Sequence, residues 1–110
     1  MQLSIILLVC TGAHLAYSYA EKYDRIEIEK IVANADIHEA VNDCILGRVD
    51  CGPYWDEVRE LAAEIAVDRC AHCTERQKVV VSTYISATKS KYPDTWRQIH
   101  KMFKKIPQKL

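Results

Sequence analysis

The residues of this chain best suited to chemistry are its cysteines. Cys44, Cys51, Cys70 and Cys73 follow the spacing C-x6-C-x18-C-x2-C, and a fifth, Cys10, sits in an apolar N-terminal run. Three chemistries compete for the segment Cys70-Ala71-His72-Cys73. A C-x-x-C in a βαβ context would suggest thiol redox catalysis. Two thiolates with His72 could contribute to a zinc site, which needs a fourth ligand from Cys44, Cys51 or a distant histidine. The third is a disulfide framework, for which spacing alone leaves three connectivities open.

The expected compartment favours disulfides. Residues 1–20 read as a secretory signal peptide: Leu3 to Cys10 form a short apolar core and Ser18-Tyr19-Ala20 places small residues at the cleavage positions, although no basic residue precedes the core. The run is much shorter than the ~20 apolar residues of a membrane span. Removing it takes Cys10 away, and the even four that remain suit an oxidising compartment. Residues 21–110 are then read as one domain with a small core.

Charge and motif content narrow the function further. The chain has 15 basic and 15 acidic residues, so bulk electrostatics give it no hold on nucleic acid. It has no Gly-rich phosphate loop and no nucleophile elbow, and Glu27 with Glu29 or Asp56 with Glu57 read as solvated surface charges. His38, His72 and His100 lack metal-ligand spacing. The lysines from Lys101 onward are read as a solvated tail without membrane contact. No enzyme activity and no cofactor are implied.

The elements that must position the cysteines are helical throughout. Ile28, Ile31 and Val32 form a first stripe; Asn34 or Asp36 can cap a second helix carrying Ile37, Val41, Cys44 and Ile45, which Gly47 ends. Pro53 suits the first position of a third helix, whose Val58, Leu61, Ala62, Ile65 and Ala66 give the strongest amphipathic face. Thr74 to Gln77 fit a capping box opening a helix that buries Val80, Val81, Tyr84 and Ile85, with Ser82, Ser86 and Ser90 on a polar row. The β-branched run Val79 to Val81 has no second strand to pair with. Pro93 opens a fifth helix bearing Trp96, Ile99 and Phe103, and Pro107 closes it.

The cysteine pattern, the opening Lys22-Tyr23-Asp24-Arg25-Ile26-Glu27-Ile28, the run Cys73-Thr74-Glu75-Arg76-Gln77-Lys78 and the position of Trp96 together resemble the insect chemosensory proteins, over about Tyr23 to Phe103. The resemblance implies sequential pairing, Cys44 with Cys51 and Cys70 with Cys73. By loop entropy such bridges contribute about 2.5 and about 2 kcal/mol, and neither would cross the core. It also implies an all-α fold of five to six short helices around an apolar channel, and a secreted, monomeric carrier of small hydrophobic molecules such as semiochemicals, long-chain alcohols, esters or fatty acids.

Candidate ligand-binding residues are Ile31, Ile37, Val41, Ile45, Val58, Leu61, Ile65, Val80, Tyr84 and Trp96; each is, as a buried side chain, equally readable as ordinary core. The chain departs from the family pattern in three places. Tyr54-Trp55 replaces the usual Glu-Gly, and two adjacent aromatics cannot both face inward, so one is expected at the surface or pocket mouth. Val41 stands where a tyrosine is frequent. The sequence also ends soon after the fifth helix, so a sixth is expected to be short or absent. Two other functions remain open at this stage: a secreted protein-interaction or developmental factor anchored by Tyr54-Trp55, and a thiol oxidoreductase using Cys70 and Cys73.

Overall fold

The structure is a computed structural model that describes residues 18–104. Cys10, Pro107, any sixth helix and the last lysines of the tail lie outside the described residues, as does the proposed signal peptide apart from Ser18 to Ala20. A 3-10 helix, Glu21–Arg25, precedes five α-helices: α1 (Ile28–Ala33), α2 (Ala35–Leu46), α3 (Pro53–Asp68), α4 (Glu75–Lys91) and α5 (Pro93–Lys104). The described residues contain no strand, and Val79 to Val81 continue α4.

The helix ends follow local chemistry. Asn34 Oδ1 accepts the Ile37 amide and starts α2, and Gly47, at φ 72°, closes it in the left-handed region that glycine enters without steric cost. Pro53 occupies the first turn of α3. At α4 the Thr74 hydroxyl oxygen accepts the Gln77 amide while Gln77 Oε1 accepts the Thr74 amide, a complete capping box.

The cysteines pair sequentially, Cys44 with Cys51 and Cys70 with Cys73. The first bridge spans the α2–α3 turn and the second the α3–α4 turn, so both are local. Arg59 reinforces the first turn: its Nε donates to the Ile45 carbonyl at 3.1 Å, and its guanidinium lies where a Cβ on Gly47 would stand.

Packing is uneven. α1 packs on α2 and α4, α2 on α3 and α5, and α5 on both α3 and α4, whereas consecutive α3 and α4 are not a closely packed pair. Among the described residues the buried apolar side chains are Ile28, Val41, Ile45 and Ile99 alone. Val41, Ile45 and Ile99 form the core cluster, with Trp55, Val58, Tyr84, Trp96 and Phe103 packed around it. α3 has no fully buried residue even though its apolar face points inward. The faces of α3 and α4 border a void in place of each other.

Candidate functional site: an apolar cavity between α3 and α4

The void is a cavity of about 470 Å³. α3 supplies one wall through Trp55, Val58, Leu61, Ala62, Ile65 and Ala66, a stripe at three- and four-residue intervals that ends at Arg69. Opposite it α4 contributes Gln77, Val80, Val81, Tyr84 and Ile85; α5 adds Trp96, Ile99, His100 and Phe103; Ile31, Val41 and Ile45 form the floor. Tyr23, Ile26 and Ile28 complete the wall from the N-terminal side.

Of the ten candidate residues, Ile31, Val41, Ile45, Val58, Leu61, Ile65, Val80, Tyr84 and Trp96 line the cavity. Ile37 does not: it lies in the first turn of α2, 45% exposed, and its neighbour His38 takes the inward position. The Tyr54-Trp55 pair divides as its adjacency requires. Trp55 joins the wall, while Tyr54 is 39% exposed and packs edge-on against Trp55, with ring centroids 5.7 Å apart. Trp96 stacks on His100 at 5.9 Å and carries Lys89 Nζ 5.4 Å from its ring centroid.

The N-terminal wall is held by polar contacts distant in sequence. Arg76 donates both to the Ile26 carbonyl and to the Glu29 carboxylate, whose pKa its hydrogen bonds pull down to about 2. The Thr74 hydroxyl donates to Asp24 Oδ1 at 2.8 Å. Gln77, 3% exposed, donates its amide to the Ala20 carbonyl at 2.9 Å. Tyr19 extends the clamp, its hydroxyl donating to Asp68 at 2.5 Å and its amide to the His72 carbonyl at 3.0 Å. Lys22 pairs with Glu57 on α3 at 2.6 Å and lowers that carboxyl's pKa.

Behind the Tyr84 ring lies a second, fully enclosed polar group. His38 is 0% exposed, its Nε2 sits 2.9 Å from the Thr88 hydroxyl, and the Tyr92 ring meets it edge-on at 4.9 Å. Burial, with a further contribution from Lys91, depresses its pKa. No group of three or more His, Cys, Asp or Glu side chains among the described residues is placed to hold a metal ion. The walls are lined mainly by aliphatic and aromatic side chains, so the chemistry they offer is contact with apolar surface, with few polar groups to direct it.

A bundle of short helices, stapled at two turns and packed around an apolar cavity, describes a binding protein. The chain belongs to the insect pheromone-binding family A10/OS-D, whose model matches residues 19–109. It is 28% identical over 102 residues to the allergen Tha p 1 of Thaumetopoea pityocampa, covering 90% of this chain and 81% of that protein. It is 24% identical over 98 residues to ejaculatory bulb-specific protein 3 of Drosophila melanogaster, covering 86% and 78%. No solved structure matches the chain.

The resemblance drawn from the cysteines and flanking motifs is thus the family to which the chain belongs, and sequential pairing is what the structure contains. Several wall residues escaped sequence reading as site candidates. The sequence offers Tyr54 or Trp55 for the pocket mouth without choosing between them, and Trp55 is the one that lines the cavity. Tyr23 and Ile26 carry no such signal, because contacts distant in sequence, from Arg76 and Thr74 and from Glu57 on α3, bring them to the cavity.

Proposed function

We propose that this chain is a secreted, monomeric carrier that takes up small hydrophobic molecules non-covalently in the cavity between α3 and α4. The observation supporting this is the cavity itself: consecutive helices whose apolar faces border a half-open space of about 470 Å³. The two bridges are compatible with such a role, since each closes its own turn and leaves α3 and α4 free to adjust their separation. Semiochemicals, long-chain alcohols, esters and fatty acids fit the walls. No catalytic step and no cofactor are assigned.

Displacement of a fluorescent apolar dye by straight-chain ligands tests the proposal, together with native mass spectrometry of protein from its source for a co-purified apolar molecule. Failure of every alkyl chain to displace the dye would overturn it. The alternative of a protein-interaction factor would rest on the exposed Tyr54, which packs beside Tyr23, since Trp55 lines the cavity. An insulin-reduction assay addresses thiol oxidoreductase activity at Cys70 and Cys73.

A further inference from the structure

Among the described residues that line the cavity, Arg69 is the only Lys, Arg, Asp or Glu. It ends the wall stripe of α3 at the helix C-cap, fourteen residues beyond Trp55, with φ 57°; Cys70 follows at φ 65°. Two successive non-glycine residues in the left-handed region are uncommon and persist where their surroundings hold them. Here the Asp68 carboxylate accepts the Cys70 amide at 3.0 Å, and the Cys70–Cys73 bridge fixes the turn. The outcome is an exposed arginine whose backbone is fixed at the rim of an apolar cavity.

The adjacent acid Asp68, the acids that hold the N-terminal wall and the polar groups of the cavity wall are engaged elsewhere. Asp68 accepts the Tyr19 hydroxyl as well as the Cys70 amide, Asp24 accepts from Thr74, and Glu57 takes Lys22. On the wall itself, Gln77 is bonded to Thr74 and Ala20, Tyr84 to Asn42, and Tyr23 to Glu57. Arg69 has no side-chain hydrogen bond or ion pair with any described residue. A planar cation with five donors and no partner suits a carboxylate, which it can grip through two parallel bonds.

We infer that Arg69 is an anionic head-group site, so that this cavity prefers long-chain carboxylates to alcohols or esters of equal length. The inference rests on the carrier reading and narrows its ligand class. The carboxylate meets Arg69 at the rim, and the chain runs along α3 toward Trp55. The fourteen-residue stripe measures about 21 Å at about 1.5 Å per residue. An extended alkyl chain of ~1.5 Å bonds advances roughly 1.25 Å per carbon, giving about 16 carbons. A cavity of about 470 Å³ has room for about 16 groups the size of a water molecule, at roughly 30 Å³ each. The two estimates agree on one acyl chain.

Dye displacement by tetradecanoic acid, its methyl ester and tetradecanol, at a pH where the acid is ionised, tests this on wild type, Arg69→Gln and Arg69→Lys. Both variants keep an L-residue at φ 57°, and neither breaks a side-chain contact within the described structure. The acid is expected to bind wild type about 3- to 10-fold more tightly than the alcohol or ester, the range for an ion pair at a half-open rim, and the margin should shrink with added salt. Arg69→Gln should bring the acid to the level of the alcohol while changing alcohol affinity less than about twofold, whereas Arg69→Lys retains part of the preference. Equal binding of acid and alcohol by wild type, or a preference unchanged in Arg69→Gln, would overturn the head-group site and leave the carrier reading standing. Absence of displacement by all three ligands would overturn both.

Discussion

Tyr84 on α4 donates its hydroxyl hydrogen to Oδ1 of Asn42 on α2 at 2.5 Å, and Asn42 is almost fully buried. The phenol ring faces the cavity while its polar end turns away from it, and burial pushes the phenol pKa up to about 12. Tyr84 is therefore an apolar wall residue whose hydroxyl serves the fold. Tyr84→Phe leaves the Asn42 carbonyl unpaired and should cost about 1 to 3 kcal/mol in urea unfolding, with dye affinity changed less than about twofold. Weaker binding at unchanged stability would instead place the hydroxyl among the ligand contacts.

His38 gives the fold a pH dependence of known sign. Its Nδ1 has no hydrogen-bond partner among the described residues, and burial together with Lys91 lowers its pKa from the usual 6.5 against a smaller opposing effect of Glu39. Below that value the unfolded chain binds the proton more readily than the folded one, so stability declines as the pH falls from about 6.5. Above it this contribution is fully present. Urea unfolding at pH 7.5 and pH 5 should show the loss in wild type and a flatter dependence in His38→Gln, whose absolute stability is lower at both pH values. An identical slope in the two proteins would assign the acid sensitivity to other groups, Glu29 being one that acts at lower pH.

How much of this was legible in the sequence depended on how far each residue's partners lie along the chain. Helix caps at Asn34, Gly47, Pro53 and Thr74 are local chemistry, and each stands where the sequence places it. The faces of α3 and α4 were readable as periodic stripes, but periodicity does not distinguish a face packed on protein from one lining a void. Ile37 belonged to its stripe by spacing, yet the inward place in that turn goes to His38, a polar side chain that earns burial through Thr88, fifty residues away. Arg69 reads in sequence as a solvated charge at a helix end. Only the end of the wall stripe at the cavity rim gives it another meaning.

The clamp on Gln77 makes stability depend on whether Tyr19 and Ala20 are present. The Ala20 carbonyl accepts the buried Gln77 amide, and Tyr19 bonds to Asp68 and His72. A protein beginning at Glu21 loses these partners, and a buried unpaired amide costs about 1 to 3 kcal/mol. Recombinant chains starting at Tyr19 and at Glu21 should therefore differ by that amount in unfolding free energy, with Tyr19 the more stable. Equal stabilities would mean that the clamp contributes nothing, and N-terminal sequencing of protein from its source would show which form exists.

Both tryptophans line the cavity, so both should report its contents. Ligand addition is expected to change the emission of Trp55→Phe, in which Trp96 remains, and of Trp96→Phe, in which Trp55 remains. The Trp96 signal also carries the effects of Lys89 and the stacked His100 ring. Silence from either single-tryptophan protein while dye displacement still reports binding would remove that indole from the ligand's surroundings.

Chain length should set affinity gradually and then cease to matter. Each buried methylene contributes about 0.8 kcal/mol, so ten to twelve of them supply about 8 to 10 kcal/mol against roughly 4 kcal/mol or more of association entropy. The net of about 4 to 6 kcal/mol corresponds to binding between about 1 mM and some tens of micromolar. An apolar wall discriminates one methylene by only about 1 to 3 kcal/mol, so a competition series from eight to twenty carbons should rise step by step without a sharp optimum. The rise should stop near fifteen carbons, where the cavity of about 470 Å³ is full. Further methylenes would then project past the rim into water and add nothing. Affinity still climbing at twenty carbons would mean that α3 and α4 move apart to admit more chain, whereas a plateau at eight would mean that much of the cavity collapses around the ligand.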